Sequence, residues 1–277
     1  MKRYLPLLAL FWLPIASGAV ALVQTATPVG ITGTTKTITF TSAVTTGNCV
    51  TAYVSGSTST APSSVTDSNS DTLITTQAWV VGVSSNFFGV YSFHVGTGGS
   101  SFGITVNFAA SSTFSIIAFE TSGSGACVTD GISAVATGTS TSPATASLTP
   151  TVTGDLQVAL LGPAAASISS WGTGLTQNAF YNTTSPHIAS ATGALGSTSP
   201  VTASATLSSS VTWYIMQFLF KSSGGSSCTH SGITSAGALA TPNGTTGSYW
   251  GKTGAFVTPD CSTVNYWQPS VGNFGVN

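Results

Sequence analysis

The sequence predicts an all-β protein: an antiparallel sandwich of two similar halves, followed by a small cysteine-containing unit. Three observations carry this. Short runs rich in β-branched and aromatic residues alternate with Gly, Ser, Asn and Pro. No stretch after the N-terminus keeps a 3.6-residue apolar period over three turns with capping residues, so no substantial helix is expected there. Two segments recur, weakly, at a spacing of about 100 residues, far longer than the period of a solenoid.

The elements follow in order. Lys2 and Arg3 precede an apolar run, 4–15, and then the small residues Ala16, Ser17, Gly18 and Ala19. This is the pattern of a secretory signal, with cleavage expected after Ala19 and Ala21 as the second possibility. The run, about a dozen residues, is too short to span a bilayer, which needs roughly 20. No later apolar run is long enough either, so the mature chain is expected to be exported without a membrane span. From residue 36 the predicted strands are 37–40, 49–54, 72–76, 88–95, 104–108 and 114–119. Several are nearly continuous apolar runs, which marks strands covered on both faces. The duplication pairs 44–54, containing Thr-Gly-Asn before an apolar strand, with 152–161, containing Thr-Gly-Asp before another. It also pairs 111–123 with 210–224. After 220 the composition shifts to Ser-Ser-Gly-Gly-Ser-Ser, a flexible linker signature. The expected divisions are a signal at 1–19, a sandwich at 24–222 and a linker with a small module at 223–277.

Charge excludes several functions. Only 4% of the 277 residues are Asp, Glu, Lys or Arg, against about 25% in an ordinary soluble domain. Without its first two basic residues the chain keeps Lys36, Lys221 and Lys252 against six acids, and nothing in it could neutralise nucleic-acid phosphates. The low charge and many strands with pairing edges also make self-association, as a subunit of a surface layer, filament or virion, the alternative reading. Four cysteines in an exported chain point to disulfides. Of three connectivities, Cys49 with Cys127 and Cys228 with Cys261 is the parsimonious one, keeping each pair within one unit.

The order of Thr-Gly-Asn/Asp before an apolar strand, then Val65-Thr66-Asp67-Ser68-Asn69-Ser70-Asp71-Thr72, Gly89-Val90-Tyr91-Ser92-Phe93 and the run 108–119, resembles the jelly-roll, concanavalin-like sandwich domains of exported bacterial and some phage-associated proteins. The resemblance covers about 30–222. It implies a jelly-roll-like fold and an extracellular setting, and supplies no catalytic residue.

Candidate sites are few. Asp67, Asn69 and Asp71 present oxygens at alternate positions, as a calcium loop does. Thr72 stands where an EF-hand needs Gly and Ala78 where it needs Glu, so a polar turn is the better account. A partial calcium site is the alternative if a carbonyl or Asp130 joins; no other cofactor is expected. Gly99-Ser100-Ser101-Phe102-Gly103 has the letters of a nucleophile elbow without its strand–turn–helix context, and reads as a hairpin loop. Glu120, the single Glu, ends a predicted strand, and its counterpart in the second half is Lys221. That suggests a solvated strand end rather than one half of a glycosidase acid pair. Cys228 and His230 with Cys261 could supply zinc ligands, but export favours a disulfide. The aromatic signal remains: Trp171 in a Gly/Ser/Thr context, and Tyr249, Trp250, Tyr266 and Trp267 near Asn243 and Asp260. Sugar C–H faces stack on such rings while amides and carboxylates bond the hydroxyls. A secreted, non-enzymatic, glycan-binding or cell-surface β-sandwich is the function these residues favour. A glycan hydrolase or lyase using Glu120 is a further alternative.

Overall fold

The structure, a computed structural model, describes residues 18–57, 59–81, 86–123, 127–162 and 166–222, and two short segments, 254–257 and 264–267. Among them there is no helix, and the strands pair antiparallel throughout.

The first half contains β1 (Ala21–Thr25), β2 (Val29–Thr39), β3 (Cys49–Gly56), β4 (Ser64–Asp67), β5 (Leu73–Val81), β6 (Asn86–His94) and β7 (Gly103–Ser122). The second contains β8 (Thr129–Ile132), β9 (Ala136–Ser140), β10 (Leu156–Gly162), β11 (Ile168–Trp171), β12 (Thr176–Tyr181), β13 (Ile188–Ala194), β14 (Ala205–Leu207) and β15 (Val211–Phe220). In the first sheet the order is β1-β7-β3-β6-β5, with β2 continuing β1 along β7 and β4 also on β7. In the second it is β12-β13-β10-β15-β8, with β9 continuing β8 along β15, while β11 and β14 form a separate ribbon. Read from β1 in the first sheet and from β8 in the second, the two orders are the same. The duplication expected from sequence is therefore a duplication of topology, with β3 and β10, and β7 and β15, in equivalent places. Gly47 and Gly154, just before β3 and β10, have φ of 86° and 87°. Each supplies the left-handed turn residue that glycine adopts without steric cost.

Strand alternation distributes the core into three clusters. From β3, Tyr53 points one way and Val50, Ala52 and Val54 the other; every residue of β3 is buried, and so is every residue of β10. Tyr53, Phe88, Val90, Ile117 and Phe119 of the first sheet meet Val158, Leu160, Tyr214, Met216 and Phe218 of the second in the cluster between the sheets. Edge-to-face contacts Tyr53–Phe88 (4.9 Å), within the first sheet, and Phe88–Tyr214 (4.8 Å), across to the second, line this interface, an arrangement aromatic rings favour over face-to-face stacking. The outer faces carry their own clusters: Phe87, Phe93, Ile104, Phe114 and Ile116 in the first half, and Leu161, Leu207, Trp213 and Ile215 in the second.

The outer cluster of the first half closes because β7 is bent. Sequence suggested two strands, 104–108 and 114–119; the structure joins them into one of 20 residues. Pairing with β2 slips between Gly33, opposite Ser112, and Thr35, opposite Asn107. Four residues of β7, 108–111, thus stand against Thr34 alone, a bulge of three extra residues, which bends a strand. The N-terminal part of β7, with β2 and β4, thus supplies Ile38, Val65, Ile104 and Val106 to the cluster that the C-terminal part lines with Phe114, Ile116 and Ala118.

Cys49 and Cys127 form a disulfide with Cα atoms 5.3 Å apart, tying the start of β3 to the segment leading into β8. Cys228 and Cys261, the zinc alternative with His230, most of the proposed signal, and Asn243, Tyr249, Trp250 and Asp260 lie outside the described residues. Tyr266 and Trp267 are on β17 (Val264–Trp267), which pairs with β16 (Gly254–Val257), opposite Ala255 and Gly254.

Candidate functional site

Trp171 closes β11, opposite Ala205 of β14. It packs against the outer cluster of the second half and remains half-buried. Its indole N–H donates to Gln177 Oε1 at 3.1 Å, so the ring is fixed at both its apolar face and its polar edge. Around it Ser170, Thr173, Thr176, Gln177 and Thr206 are exposed. Gly172 lets the chain pass tightly: a Cβ there would lie 2.4 Å from Ser204 Oγ. The surface offers an indole edge, an amide and hydroxyls, without charge. The sequence reading does not include Gln177, although the Gly172-Thr173-Gly174 turn, which brings the chain back six residues after the tryptophan, is a signal that could have found it.

The residues 67–71 are brought together as a turn between β4 and β5. Asp67 Oδ1 accepts from the N–H groups of Asn69 (2.8 Å) and Asp71 (3.0 Å), the way Asp side chains organise local turns. Asn69 Nδ2 donates to the Thr97 carbonyl (2.5 Å), and Asp71 Oδ1 accepts from Gly96 N–H (3.0 Å). Asp67 is 7% exposed, and the second carboxyl oxygens of Asp67 and Asp71 are buried with no partner besides the neighbouring carboxyl group, the two side chains bonding each other. Burial pushes the Asp71 carboxyl above its ordinary range; the Gly96 N–H pulls it down, and the adjacent Asp67 carboxyl raises it further.

Asp130 does not join that turn. It sits on β8 in the second half, where its carboxylate accepts from Thr151 N–H and from Thr151 Oγ1 (2.6 Å), and pairs with Lys221 Nζ at 3.3 Å. Asp155, fully buried, accepts from Ser222 N–H at 2.8 Å. Its carboxyl is pushed up to about 6, first by burial and then by the adjoining Asp130, against the pull of Ser222 N–H and Lys221.

Glu120 is not the solvated strand end that its sequence position suggested. It is 0% exposed. Oε1 accepts from Thr45 N–H (2.8 Å) and Asn48 Nδ2 (2.5 Å), and Oε2 accepts from Gln24 Nε2 (2.6 Å). These donors come from β1 and the loop before β3, between 72 and 96 residues away in sequence. They pin both to the end of β7. Ser100 and Ser101 lie in the loop entering β7, with φ of 63° at Ser101; the loop is as expected, but it is not a hairpin, because the strands it joins, β6 and β7, flank β3 instead of pairing.

No family model, curated protein or solved structure matches the chain.

Proposed function

We propose that this chain acts outside the cell as a non-catalytic β-sandwich that binds neutral glycans, with the surface around Trp171 as the contact. The half-buried indole, held by its own apolar packing and by Gln177 among uncharged hydroxyls, is the observation that carries the reading. A pre-fixed ring binds without first being ordered, and that reduces the entropic cost of association. Hydroxyl and amide groups at its rim match the bonding pattern of a sugar. The enclosure of Glu120 by three donors also favours contact over hydrolysis, because a general acid must reach the glycosidic oxygen. Export rests on the N-terminal signal pattern and accords with the disulfide. Cleavage after Ala19 keeps Val20, which is buried and donates its N–H to Gly154 O at 2.9 Å; cleavage after Ala21 removes it.

The test is retention on a panel of insoluble neutral polysaccharides. Wild type is expected to bind at least one, and Trp171→Ala to bind it about tenfold more weakly, equivalent to about 1.4 kcal/mol, with an unchanged melting profile. Failure to bind any of them, or equal binding by the variant, overturns the proposal.

A further inference from the structure

We infer that the side chains of Lys221 and Asp130 are the precursors of an intramolecular amide cross-link between the end of β15 and β8, formed with loss of water and assisted by Asp155. The site is separate from the surface around Trp171 and does not depend on the glycan reading. Three adjacent strands bring the groups together. Leu156 of β10 stands opposite Phe220 of β15, so the next pair in that register is Asp155 and Lys221. On the other side of β15, Lys221 N–H donates to Val128 O at 2.9 Å. The β8 register then slips: Thr129 is opposite Phe220 and Gly131 opposite Leu219, which leaves Asp130 as the extra residue. Such a bulge re-aims a side chain, and Asp130 Oδ1 lies 3.3 Å from Lys221 Nζ, the one ion pair among the described residues.

Burial favours exchanging this ion pair for a neutral bond. The Asp130 side chain is 3% exposed and that of Lys221 39%, while Asp155 is fully buried. Charges taken out of water carry a desolvation cost that a single contact repays only in part, and an amide removes both of them. Groups held in contact also react as if at an effective concentration of about 10⁵–10⁸ M. In the first half the equivalent strand end carries Glu120, which is bonded to Gln24, Thr45 and Asn48 and faces no amine among them.

The balance of the step is simple. Lys221 Nζ attacks Asp130 Cγ, a C–N bond forms, one Cγ–O bond breaks, and the oxygen leaves as water. Ammonium and carboxylate thus become amide and water, with no other reactant. The two protons lost from nitrogen end on the departing oxygen, one directly and one through Asp155, which finishes as it began. Asp155 suits this exchange because its carboxyl bonds that of Asp130 and is pushed up to about 6, first by burial, close to the working pH of a proton carrier. Burial would raise Asp130 as well, but Thr151, Asp155 and Lys221 hold it below its ordinary range. It therefore reacts only when a proton is supplied, and Asp155 supplies it. Thr151 donates to both Asp130 oxygens, through N–H to Oδ2 and through Oγ1 to Oδ1 (2.6 Å), where charge gathers in the tetrahedral intermediate. The titration of Asp130 belongs to the unreacted chain and ends when the bond forms.

Trypsin provides the test, because beyond Lys36 the chain offers it only Lys221 and Lys252, and an acylated lysine is not cut. The purified full chain is held near pH 6, then reduced, denatured and digested, and the fragments are weighed. Wild type is expected to give one uncut fragment, 37–252, lighter than its sequence by one water. Lys221→Arg keeps the charge and is expected to be cut at 221, with both fragments at full mass. Asp155→Asn removes the proton carrier and is expected to form the link about 100-fold more slowly. Wild-type fragments 37–221 and 222–252 at full mass overturn the inference. A loss of water that persists in Lys221→Arg also overturns it, and identifies a succinimide at Asp130-Gly131 instead. Linkage at the wild-type rate in Asp155→Asn overturns the part given to Asp155.

Discussion

Asn48 and Asp155 occupy the same place in the two halves, one residue before β3 and β10, but the charge in each pair has changed sides. Asn48 donates its amide to Glu120 at the end of β7. Asp155 accepts from Ser222, next to Lys221, beyond the end of β15. Both pairs fasten the start of one central strand to the end of its neighbour. The first half does so with a buried acid and neutral donors, the second with a buried acid and a nearby ammonium.

Removal of Glu120 tests the first fastening. Glu120→Ala leaves Gln24, Asn48 and Thr45 N–H without their acceptor. Stability is expected to fall by about 3 kcal/mol, since hydrogen bonds to a charged group contribute about 1.5–3 kcal/mol each and the lost donors partly rehydrate. Glu120→Gln keeps the shape and one acceptor, and should cost roughly half as much. Urea midpoints for the two variants check this, and near-equal costs would show that side-chain volume matters more than the bonds.

The second fastening makes stability depend on pH. The Asp155 carboxyl, pushed up to about 6, binds its proton more tightly folded than unfolded, where an Asp titrates near 3.9. Between about pH 4 and 6 the folded state holds more protons, so this group's contribution falls as pH rises through that window and has gone above it. Burial would raise Asp130 too, but Thr151 and its other partners hold it below the ordinary range. It contributes in the opposite sense, its stabilisation disappearing as pH falls below about 4. Asp155→Asn is therefore expected to gain about 1–3 kcal/mol relative to wild type at pH 7.5, and little at pH 4.5. Denaturant curves at those two pH values measure the difference, and an equal effect at both would refute the assignment.

Packing between the sheets depends on Gly162. A Cβ there would lie 2.7 Å from Tyr53 Oη and 3.0 Å from a Tyr214 ring carbon, and both rings are almost completely buried. Gly162→Ala is expected to cost about 1–3 kcal/mol, as overpacking does. Adding Tyr53→Phe removes the nearer atom and should recover part of that, so the double variant falls short of the sum. Additive melting temperatures would place the strain elsewhere.

The strands, the duplication and one disulfide were legible because each leaves a local trace: apolar runs, Thr-Gly-Asn and Thr-Gly-Asp before equivalent strands, and a cysteine count. Glu120 was misread because its donors, Gln24, Thr45 and Asn48, are distant in sequence, and a lone acid beside Gly and Ser looks solvated until the chain returns to it. The continuity of β7 was hidden for a related reason. Ala109, Ala110 and Ser111 are small and exposed, like a break between strands, and the pairing across them shows only when β2 lies alongside. At Trp171 the sequence showed the ring but not Gln177 as its partner.

Each half is one continuous stretch of chain, and the face with Tyr53, Phe88, Ile117 and Phe119 is covered by residues that follow the whole of the first sheet. Synthesis proceeds from the N-terminus at about 5–20 residues per second. A first half emerging that way shows an unshielded aromatic surface for several seconds before β10 and β15 can reach it. A chain stopped near residue 122 would keep that surface permanently bare, so truncation here produces an aggregating fragment rather than a smaller functional domain.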